Sequence, residues 1–313
     1  MISYVIPVMN EEESIDAFYA ELYKVILQII EKYEIIFIDD GSTDNSLVLL
    51  KKLVKSNKSV RVFSFRRNLG KAEALTFGFA KASGDYIVTL DADLQDIPSE
   101  IPKLLALGKT GVEVVTGWRK KRKDKKYMVY ISRLFNLFVN KLFNTGIHDY
   151  NCGLKLYTRD AAKSLQLYGG LYRFIPFLVY QQGFTIGEVA VEHQPRKFGK
   201  SKYGFYKWRD LPDIITILFL AKYSKRPLHF FGIIGIFMSS IGVIVLLYLT
   251  YVHYFMHQPV GTRPLLFMGI LFVIAGLQIL FTGFLADLML NIAQGPKYLD
   301  ESKMHFPLKF STD

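Results

Sequence analysis

Two long apolar segments near the C-terminus constrain this chain more than any other feature. Residues 228–252 (LHFFGIIGIFMSSIGVIVLLYLTYV) and 264–286 (PLLFMGILFVIAGLQILFTGFLA) contain no Asp, Glu, Lys or Arg. A helix needs about 20 apolar residues to cross the hydrocarbon core of a bilayer, and each segment exceeds that length. The alternative is a buried hairpin in a soluble protein, but soluble helices rarely stay apolar on every side for so long. We therefore predict transmembrane helices at 228–253 and 264–290.

Basic residues lie on the outer flanks of the two predicted spans. They are Lys222, Lys225 and Arg226 before the first span, and Lys297, Lys303 and Lys309 after the second. The basic residues between the spans are Arg263 and histidines. Because Lys and Arg accumulate on the cytoplasmic side, we expect an inner-membrane protein with both flanks in the cytoplasm. The single Cys152 offers no disulfide framework, which suits a reducing compartment.

The first two thirds of the chain alternate short apolar runs with amphipathic segments. The runs predict strands at 2–8, 34–38, 60–65 and 85–90, and the segments predict helices from about 13 to 31, after 42–43 and from 71 to 82. Ser42 or Thr43 can cap the second helix. This alternation predicts a parallel sheet covered on both faces, within a catalytic domain over residues 1–205. Ligands bind such sheets at the C-terminal strand ends, where Asn10-Glu11, Asp39-Asp40 and Asp91-Ala92-Asp93 are expected.

A basic loop and an apolar segment occupy the middle of the chain. Residues 119–126 read RKKRKDKK, and residues 127–145 (YMVYISRLFNLFVNKLFNT) carry polar side chains on one helical stripe and no acidic residue. This combination favours a helix lying in the membrane interface, beside anionic lipid, over an ordinary core-packed helix. We also predict a juxtamembrane amphipathic segment at 206–226 and a cytoplasmic tail at 291–313.

Three aspartates follow the fourth predicted strand in V-T-L-D-A-D-L-Q-D, residues 88–96. In extended backbone Asp91 and Asp93 project to the same side, and two neighbouring carboxylates repel unless a cation joins them. Mg²⁺ binds a few carboxylate oxygens and keeps positions for substrate phosphates. We therefore predict Asp91 and Asp93 as metal ligands. Asp96 is expected to shape the turn or cap the next helix.

Two common phosphate-binding loops do not occur in the sequence. There is no GxxxxGK[ST], which excludes a P-loop, and no GxGxxG follows the first strand, which excludes a dinucleotide-binding fold. Phosphate binding must then depend on a metal ion and on cationic side chains.

Several motifs follow the predicted strands in a fixed order. They are V-I-P-V-M-N-E-E (5–12), I-D-D-G-S-T-D (38–44), R-N-L-G-K (67–71), D-A-D-L-Q-D-I-P (91–98) and H-Q-P-R-K-F-G-K-S-K-Y (193–203). The chain resembles the family-2 glycosyltransferases over about residues 1–210. The last motif is similar to the R-x-x-G-x-S-K pattern of polyprenyl-phosphate glycosyltransferases, which include dolichyl-phosphate mannose synthases and bacterial two-span enzymes. The resemblance implies a GT-A fold, with a mixed and mostly parallel sheet.

The resemblance also implies roles for matching residues. Those expected to hold the nucleotide sugar are Pro7, Met9, Glu11, Asp40, Asp91, Ala92, Asp93, Gln95, Arg196 and Lys202. Asp91 and Asp93 would bind Mg²⁺ or Mn²⁺. Those expected to bind a lipid phosphate are Arg119, Ser132 and Arg133. Asp93 and Asp149 are the candidate catalytic residues, with Asp149 as a base, although N-C-G-L-K after Tyr150 differs from the commoner S-G-F-R or G-D-F-R.

Together these features predict an enzyme that moves one sugar from a UDP- or GDP-sugar to a polyprenyl phosphate, with inversion. We expect no nucleic-acid partner, and the resemblance favours a homo-oligomer. One alternative is a processive polysaccharide synthase, but Gln181-Gln182 is followed by Gly-Phe-Thr and not by the Arg-Trp of a QxxRW motif. The other alternative is a non-catalytic membrane scaffold that retains the fold, against which the intact acidic and basic motifs argue.

Overall fold

The computed structural model describes residues 1–120, 146–195 and 226–294, together with 219 and 223. Described residues up to 195 belong to one compact unit, and those from 219 onward belong to a second. The predicted interfacial helix at 127–145 and tail at 295–313 lie outside the described residues, as does most of the juxtamembrane segment.

The first unit is built on one seven-stranded sheet. Its strands are β1 (Ile2–Val8), β2 (Tyr33–Asp39), β3 (Val60–Ser64), β4 (Tyr86–Thr89), β5 (Val114–Trp118), β6 (Lys155–Thr158) and β7 (Ile186–Ala190). The order across the sheet is β3-β2-β1-β4-β6-β5-β7. Only β6 runs against its neighbours, pairing antiparallel with β4 and β5. The prediction of a mixed and mostly parallel sheet is therefore confirmed.

Helices cover both faces of this sheet. The described helices of the unit are α1 (Ile15–Ile29), α2 (Ser46–Ser56), α3 (Lys71–Lys81), α4 (Ile101–Gly108), α5 (Arg159–Lys163) and α6 (Ile175–Gln181), with 3-10 turns at Pro98–Glu100 and Gly169–Phe174. Helix α1 buries Ile15, Phe18, Leu22, Val25 and Ile26, a stripe at the spacing of one helical face. Because both sheet faces are covered, β1 is buried along nearly its whole length.

The expected cap of the second helix is wrong. Helix α2 begins at Ser46, and its N-cap residue Asn45 makes no side-chain capping hydrogen bond. Ser42 and Thr43 instead bind Asn10, because Asn10 N–H donates to Ser42 Oγ (2.9 Å) and Thr43 N–H donates to Asn10 Oδ1 (2.8 Å). The two polar residues therefore join the loops after β1 and β2.

Strand register brings the polar strand ends together. Val8 pairs with Asp39, Asp39 pairs with Ser64, and Val5 pairs with Thr89. The residues that follow β1, β2, β3 and β4 therefore leave the sheet along one edge. Parallel α/β sheets bind ligands at this edge.

The second unit contains two long helices, α7 (Pro227–Phe255) and α8 (Pro264–Gln294). Both are long and apolar enough to cross a membrane, with mean hydropathy of 2.6 and 2.4 over their most apolar windows. Large apolar side chains on their outer faces stay exposed, including Phe237 (66%), Ile244 (65%) and Phe267 (67%). Such faces suit lipid better than water.

Glycines let the backbones of α7 and α8 pack directly against each other. A Cβ atom on Gly235 would lie 2.6 Å from the Gly276 carbonyl oxygen, and one on Gly242 would lie 2.7 Å from the Gly269 carbonyl oxygen. Small residues at such crossings allow close packing in the absence of a hydrophobic driving force between helices.

Gly235→Ala is expected to destabilise the helical hairpin, because the new methyl group would meet the backbone of α8. The expected loss is about 1–3 kcal/mol, the usual range for overpacking. Thermal unfolding of the full chain in detergent measures it. Gly261→Ala is the matched control, since a Cβ there meets nothing within 4 Å. Equal stability of the two variants would contradict the close contact.

Candidate functional site

The chain turns as soon as it leaves β4. Residues 92–94 form a turn and bend, and Leu94 has a φ of 61°, in the left-handed region. Asp93 Oδ1 accepts a hydrogen bond from Gln95 N–H (3.1 Å), which fixes the turn. The expectation of extended backbone at Asp91 and Asp93 is therefore wrong, because Ala92 and Asp93 lie in the turn.

Asp91 forms an ion pair with Lys71, the first residue of α3. Lys71 Nζ lies 2.5 Å from Asp91 Oδ1 and 2.8 Å from Oδ2. Burial acts to raise the pKa of Asp91, but the Lys71 ammonium outweighs it and the pKa is lowered. Asp91 is therefore an anion at neutral pH, and a cation already stands beside it.

Asp96 adds a third carboxylate to this cluster. Its side chain is buried, and among the described residues its Oδ2 atom has no hydrogen-bond partner. Oδ2 atoms of both Asp96 and Asp91 approach Gly153, where any Cβ would collide with them. Burial and the charge of Asp91 raise the pKa of Asp96 to about 7, with a smaller contribution from Asp93. The charge of the neighbouring carboxylates thus disfavours ionisation of Asp96.

The expected role of Asp96 as a turn former or helix cap is wrong. The 3-10 turn that follows has Ile97 as its N-cap residue and no side-chain capping hydrogen bond. The backbone of Asp96 instead forms a bridge with His193, which leaves its side chain directed at the acidic cluster.

The charge of the three carboxylates would suit a divalent cation, although their side chains do not form a ready-made binding site. A hard cation would contact the buried Asp96 oxygen that has no donor, and its charge would offset the repulsion that raises the pKa of Asp96. Gly153 has no side chain, so Asp91 and Asp96 can both approach it. The described part of the chain contains no preassembled group of three or more metal ligands. A cation held by Asp91 and Asp93 would therefore need further oxygen ligands from a substrate.

The raised pKa of Asp96 predicts a pH-dependent stability. Its ordinary pKa is 3.8 and its folded pKa is about 7, so between these values the folded protein holds a proton that the unfolded chain has lost. The free energy of unfolding should fall as pH rises through this window, and Asp96→Asn should remove that fall. Unfolding of both proteins in chelator between pH 4.5 and 8 measures the difference. A difference that does not change with pH would contradict the raised pKa.

The residues expected to hold the nucleoside lie at the same sheet edge. Pro7 near the end of β1, and Met9 and Glu11 after it, are partly exposed. Asp40 is buried, and its carboxylate accepts hydrogen bonds from the backbone N–H groups of Leu69 (2.7 Å) and Gly70 (3.1 Å). Asp40 therefore fastens the R-N-L-G-K loop to the end of β2.

Gly41 permits this junction. It has a φ of 69°, and a Cβ atom there would lie 2.7 Å from the backbone nitrogen of Asn68. Only glycine allows both the left-handed backbone and the close passage of the neighbouring loop.

Arg119 and Asp149 form a buried ion pair after β5. Arg119 Nε lies 2.7 Å from Asp149 Oδ2, and Nη2 lies 3.0 Å from Oδ1. Burial alone would lower the pKa of Arg119, but the Asp149 carboxylate raises it. Glu188 on β7 holds the loop, because its Oε1 accepts from the backbone N–H groups of His148 (3.0 Å) and Asp149 (2.9 Å). Arg119, which was expected to bind the lipid phosphate, thus contacts Asp149, which was expected to act as a base.

The structure brings some of the expected residues together and leaves others undescribed. Asp91, Ala92, Asp93 and Gln95 form the turn after β4. Ser132, Arg133, Arg196 and Lys202 lie outside the described residues. Sequence reasoning missed Lys71 and Lys155, although both stand in quoted motifs, R-N-L-G-K and N-C-G-L-K. Each motif ends in a lysine, and that lysine could have indicated a cation near the carboxylates.

Comparison with known proteins identifies the family. Residues 3–166 match the sequence profile of Glycosyl transferase family 2. The chain is 34% identical over 294 residues to the dodecaprenyl-phosphate galacturonate synthase of Rhizobium johnstonii, covering 92% of this chain and 87% of that protein. The chain belongs to glycosyltransferase family 2. It is therefore an enzyme of the glycosyl-transferring class, and the resemblance noted in the sequence is confirmed.

A second relative of this family-2 glycosyltransferase is also named for a polyprenyl phosphate and a sugar. The undecaprenyl-phosphate 4-deoxy-4-formamido-L-arabinose transferase of Proteus mirabilis is 32% identical over 292 residues, covering 91% of this chain and 87% of that protein. Both alignments are long enough to include the apolar helices as well as the sheet.

Solved structures agree with the glycosyltransferase fold. Glucosyl-3-phosphoglycerate synthase from Mycobacterium tuberculosis, in complex with Mn²⁺, UDP and glucosyl-3-phosphoglycerate, superposes with a TM-score of 0.54 over 71% of this chain and 79% of that one. Identity is 19%, so this likeness concerns the fold. The same enzyme with Mn²⁺, UDP and phosphoglyceric acid gives the same TM-score at 18% identity.

Proposed function

We propose that this enzyme transfers a single sugar from a UDP- or GDP-sugar to a polyprenyl phosphate. The observation that carries the proposal is the acidic cluster after β4, in a chain that aligns along more than nine tenths of its length with two polyprenyl-phosphate sugar transferases. The cluster would bind the donor, and the apolar helices would keep the enzyme at the membrane that contains the acceptor.

The reaction is a single displacement at the anomeric carbon. The bond from this carbon to the diphosphate oxygen breaks, and a bond to an oxygen of the lipid phosphate forms, so that a nucleoside diphosphate leaves. Attack from the opposite side inverts the anomeric centre. The acceptor is already an anion at neutral pH and needs positioning more than deprotonation.

A divalent cation, Mg²⁺ or Mn²⁺, would stabilise the charge that develops on the leaving diphosphate. Asp91 and Asp93 would hold the cation, and the neighbouring Asp96 would add negative charge that attracts it. Lys71 would exchange Asp91 for a phosphate oxygen when the donor binds. Arg196 and Lys202 are also proposed to contact the diphosphate.

Arg119, Ser132 and Arg133 are proposed to bind the lipid phosphate, since a guanidinium can hold a phosphate bidentately. Both oxygens of Asp149 accept from Arg119. This contact supports a role for Asp149 in orienting Arg119, and its role as a base stays a proposal.

We further propose that α7 and α8 span the inner membrane with the catalytic unit on the cytoplasmic side. Basic residues on the outer flanks of both helices support this orientation. A homo-oligomer stays a prediction.

The test is transfer of label from nucleotide sugars to undecaprenyl phosphate in detergent, with Mg²⁺ or Mn²⁺. We expect a labelled lipid that carries one sugar. A product with many sugars would favour a processive synthase. Absence of labelled lipid with every donor, from protein that still binds nucleotide, would rule out the proposed transfer and favour a scaffold.

A further inference from the structure

A small pocket opens beside Asp91, on the side of Lys71. It lies in the first unit, between the ends of β1 and β4, the start of β6 and the 3-10 turn that carries Tyr172 and Arg173. Its volume is about 20 Å³, enough for one or two water-sized groups. A diphosphate or a sugar ring is too large for this space, whereas a single substituent of a sugar fits it.

The pocket contains a buried cation. Lys155, the first residue of β6, is 4% exposed and donates to the Cys152 carbonyl oxygen. Within the described ranges it forms no ion pair. Burial lowers the pKa of the Lys155 ammonium, and an anion in the pocket would oppose this effect. A buried lysine beside an open space therefore favours an anionic ligand.

A buried tyrosine lines the same space. Tyr157 is fully buried, and its hydroxyl has no partner of standard hydrogen-bond geometry among the residues that the structure describes, although the Thr89 side chain interacts with it. Burial raises the pKa of Tyr157, so the hydroxyl keeps its proton. A buried hydroxyl of this kind can donate to an acceptor oxygen in the pocket.

Two further cations complete the lining. Lys71 Nζ lies 5.5 Å and the Arg173 guanidinium carbon 5.4 Å from the centre of the Tyr172 ring, so one aromatic ring orients both. Among the described residues that line the pocket, Asp91 is the one carboxylate, and the proposed function assigns it to the metal. The lining therefore offers cations and a hydroxyl donor to an acceptor group.

We propose that this pocket receives the carboxylate of an acidic donor sugar, so that the enzyme prefers a nucleotide-linked uronic acid to the matching neutral hexose. Lys155 and Tyr157 bind the carboxylate, and Arg173 provides a further positive charge beside it. This inference rests on the proposed function, because it names the sugar class that the same donor site takes.

The test measures donor binding without any lipid, in Mn²⁺, by titration calorimetry on the full chain. Two matched pairs are compared, UDP-galacturonate with UDP-galactose and GDP-mannuronate with GDP-mannose. In the pair with the correct nucleotide, we expect the acidic donor to bind about 10- to 100-fold more tightly, the range for a charged hydrogen-bonded group. Equal binding within both pairs, or no binding to any of the four, would overturn the proposal.

Two variants test the residues. Lys155→Met keeps much of the side-chain length and should remove most of the preference, and Tyr157→Phe should weaken acidic-donor binding about 3- to 10-fold. Both should leave neutral-donor and free-nucleotide affinities unchanged, which also shows that the variants fold. Lys51→Met on α2 and Tyr86→Phe on β4 are the matched controls.

The outcomes separate this inference from the proposed function. A parallel loss of acidic-donor, neutral-donor and free-nucleotide binding in the variants would assign the pocket to the diphosphate and overturn the inference. A preserved preference for acidic donors, without transfer to polyprenyl phosphate, would contradict the proposed transfer and leave the inference supported.

Discussion

Asp93→Asn is expected to lower the turnover number about a thousandfold, the loss typical when charge stabilisation of a transition state is removed. The substitution takes a negative charge from the cluster of Asp91, Asp93 and Asp96. Asparagine keeps a side-chain oxygen that can accept from Gln95 N–H, as Asp93 does at 3.1 Å. The turn after β4 should therefore survive, and the loss should report on charge.

Turnover with undecaprenyl phosphate and the Mn²⁺ dependence of nucleotide binding measure this effect. Asp16→Asn is the control, because Asp16 is an exposed aspartate on α1. D93N should bind nucleotide with a weaker dependence on Mn²⁺, and D16N should match the wild type. Normal turnover of D93N would remove Asp93 from the proposed metal site.

Asp149→Asn is expected to lower the free energy of unfolding by about 3–5 kcal/mol, because it leaves a buried guanidinium without its counter-charge. Arg119 and Asp149 are 10% and 4% exposed at their side chains and share two hydrogen bonds. Denaturant unfolding in detergent measures the loss. Replacing both residues by apolar ones, as Arg119→Met with Asp149→Leu, should be less destabilising than Asp149→Asn alone.

An exposed pair provides the matched control for this prediction. Arg159 and Asp85 lie 3.0 Å apart, with side chains 43% and 65% exposed. Asp85→Asn should change the free energy of unfolding by less than about 1 kcal/mol, the range for surface pairs. Similar losses in D149N and D85N would show that burial of the Arg119 pair adds nothing to its contribution.

Strands β1 to β4 could be predicted from the sequence because their signals are local, whereas β5, β6 and β7 were not predicted. Each of β1 to β4 is a short apolar run, and each ends in residues that favour turns. The antiparallel insertion of β6 between β4 and β5 could not be predicted from such runs. It depends on pairings between residues far apart in sequence, such as Val88 with Leu156.

The candidate site could be predicted only as a set of residue types. The aspartates after β4 were visible, but their partners come from other segments. Lys71 precedes Asp91 by 20 residues, and Gly153 reaches the cluster from the loop before β6. Asp96 was expected to serve the turn because its neighbours are Ile97 and Pro98. Its burial against two other carboxylates arises from packing that no local pattern contains.

The ion pair between Lys71 and Asp91 has a consequence for the order of binding. In the free enzyme the Lys71 ammonium occupies the charge position that a divalent cation would take, so a metal alone must compete with it. A diphosphate that accepts Lys71 removes this competitor. Metal and nucleotide should therefore increase each other's affinity by the same factor, as thermodynamic reciprocity requires. Lys71 thus offsets the charge of Asp91 and should weaken the binding of a metal ion in the absence of nucleotide.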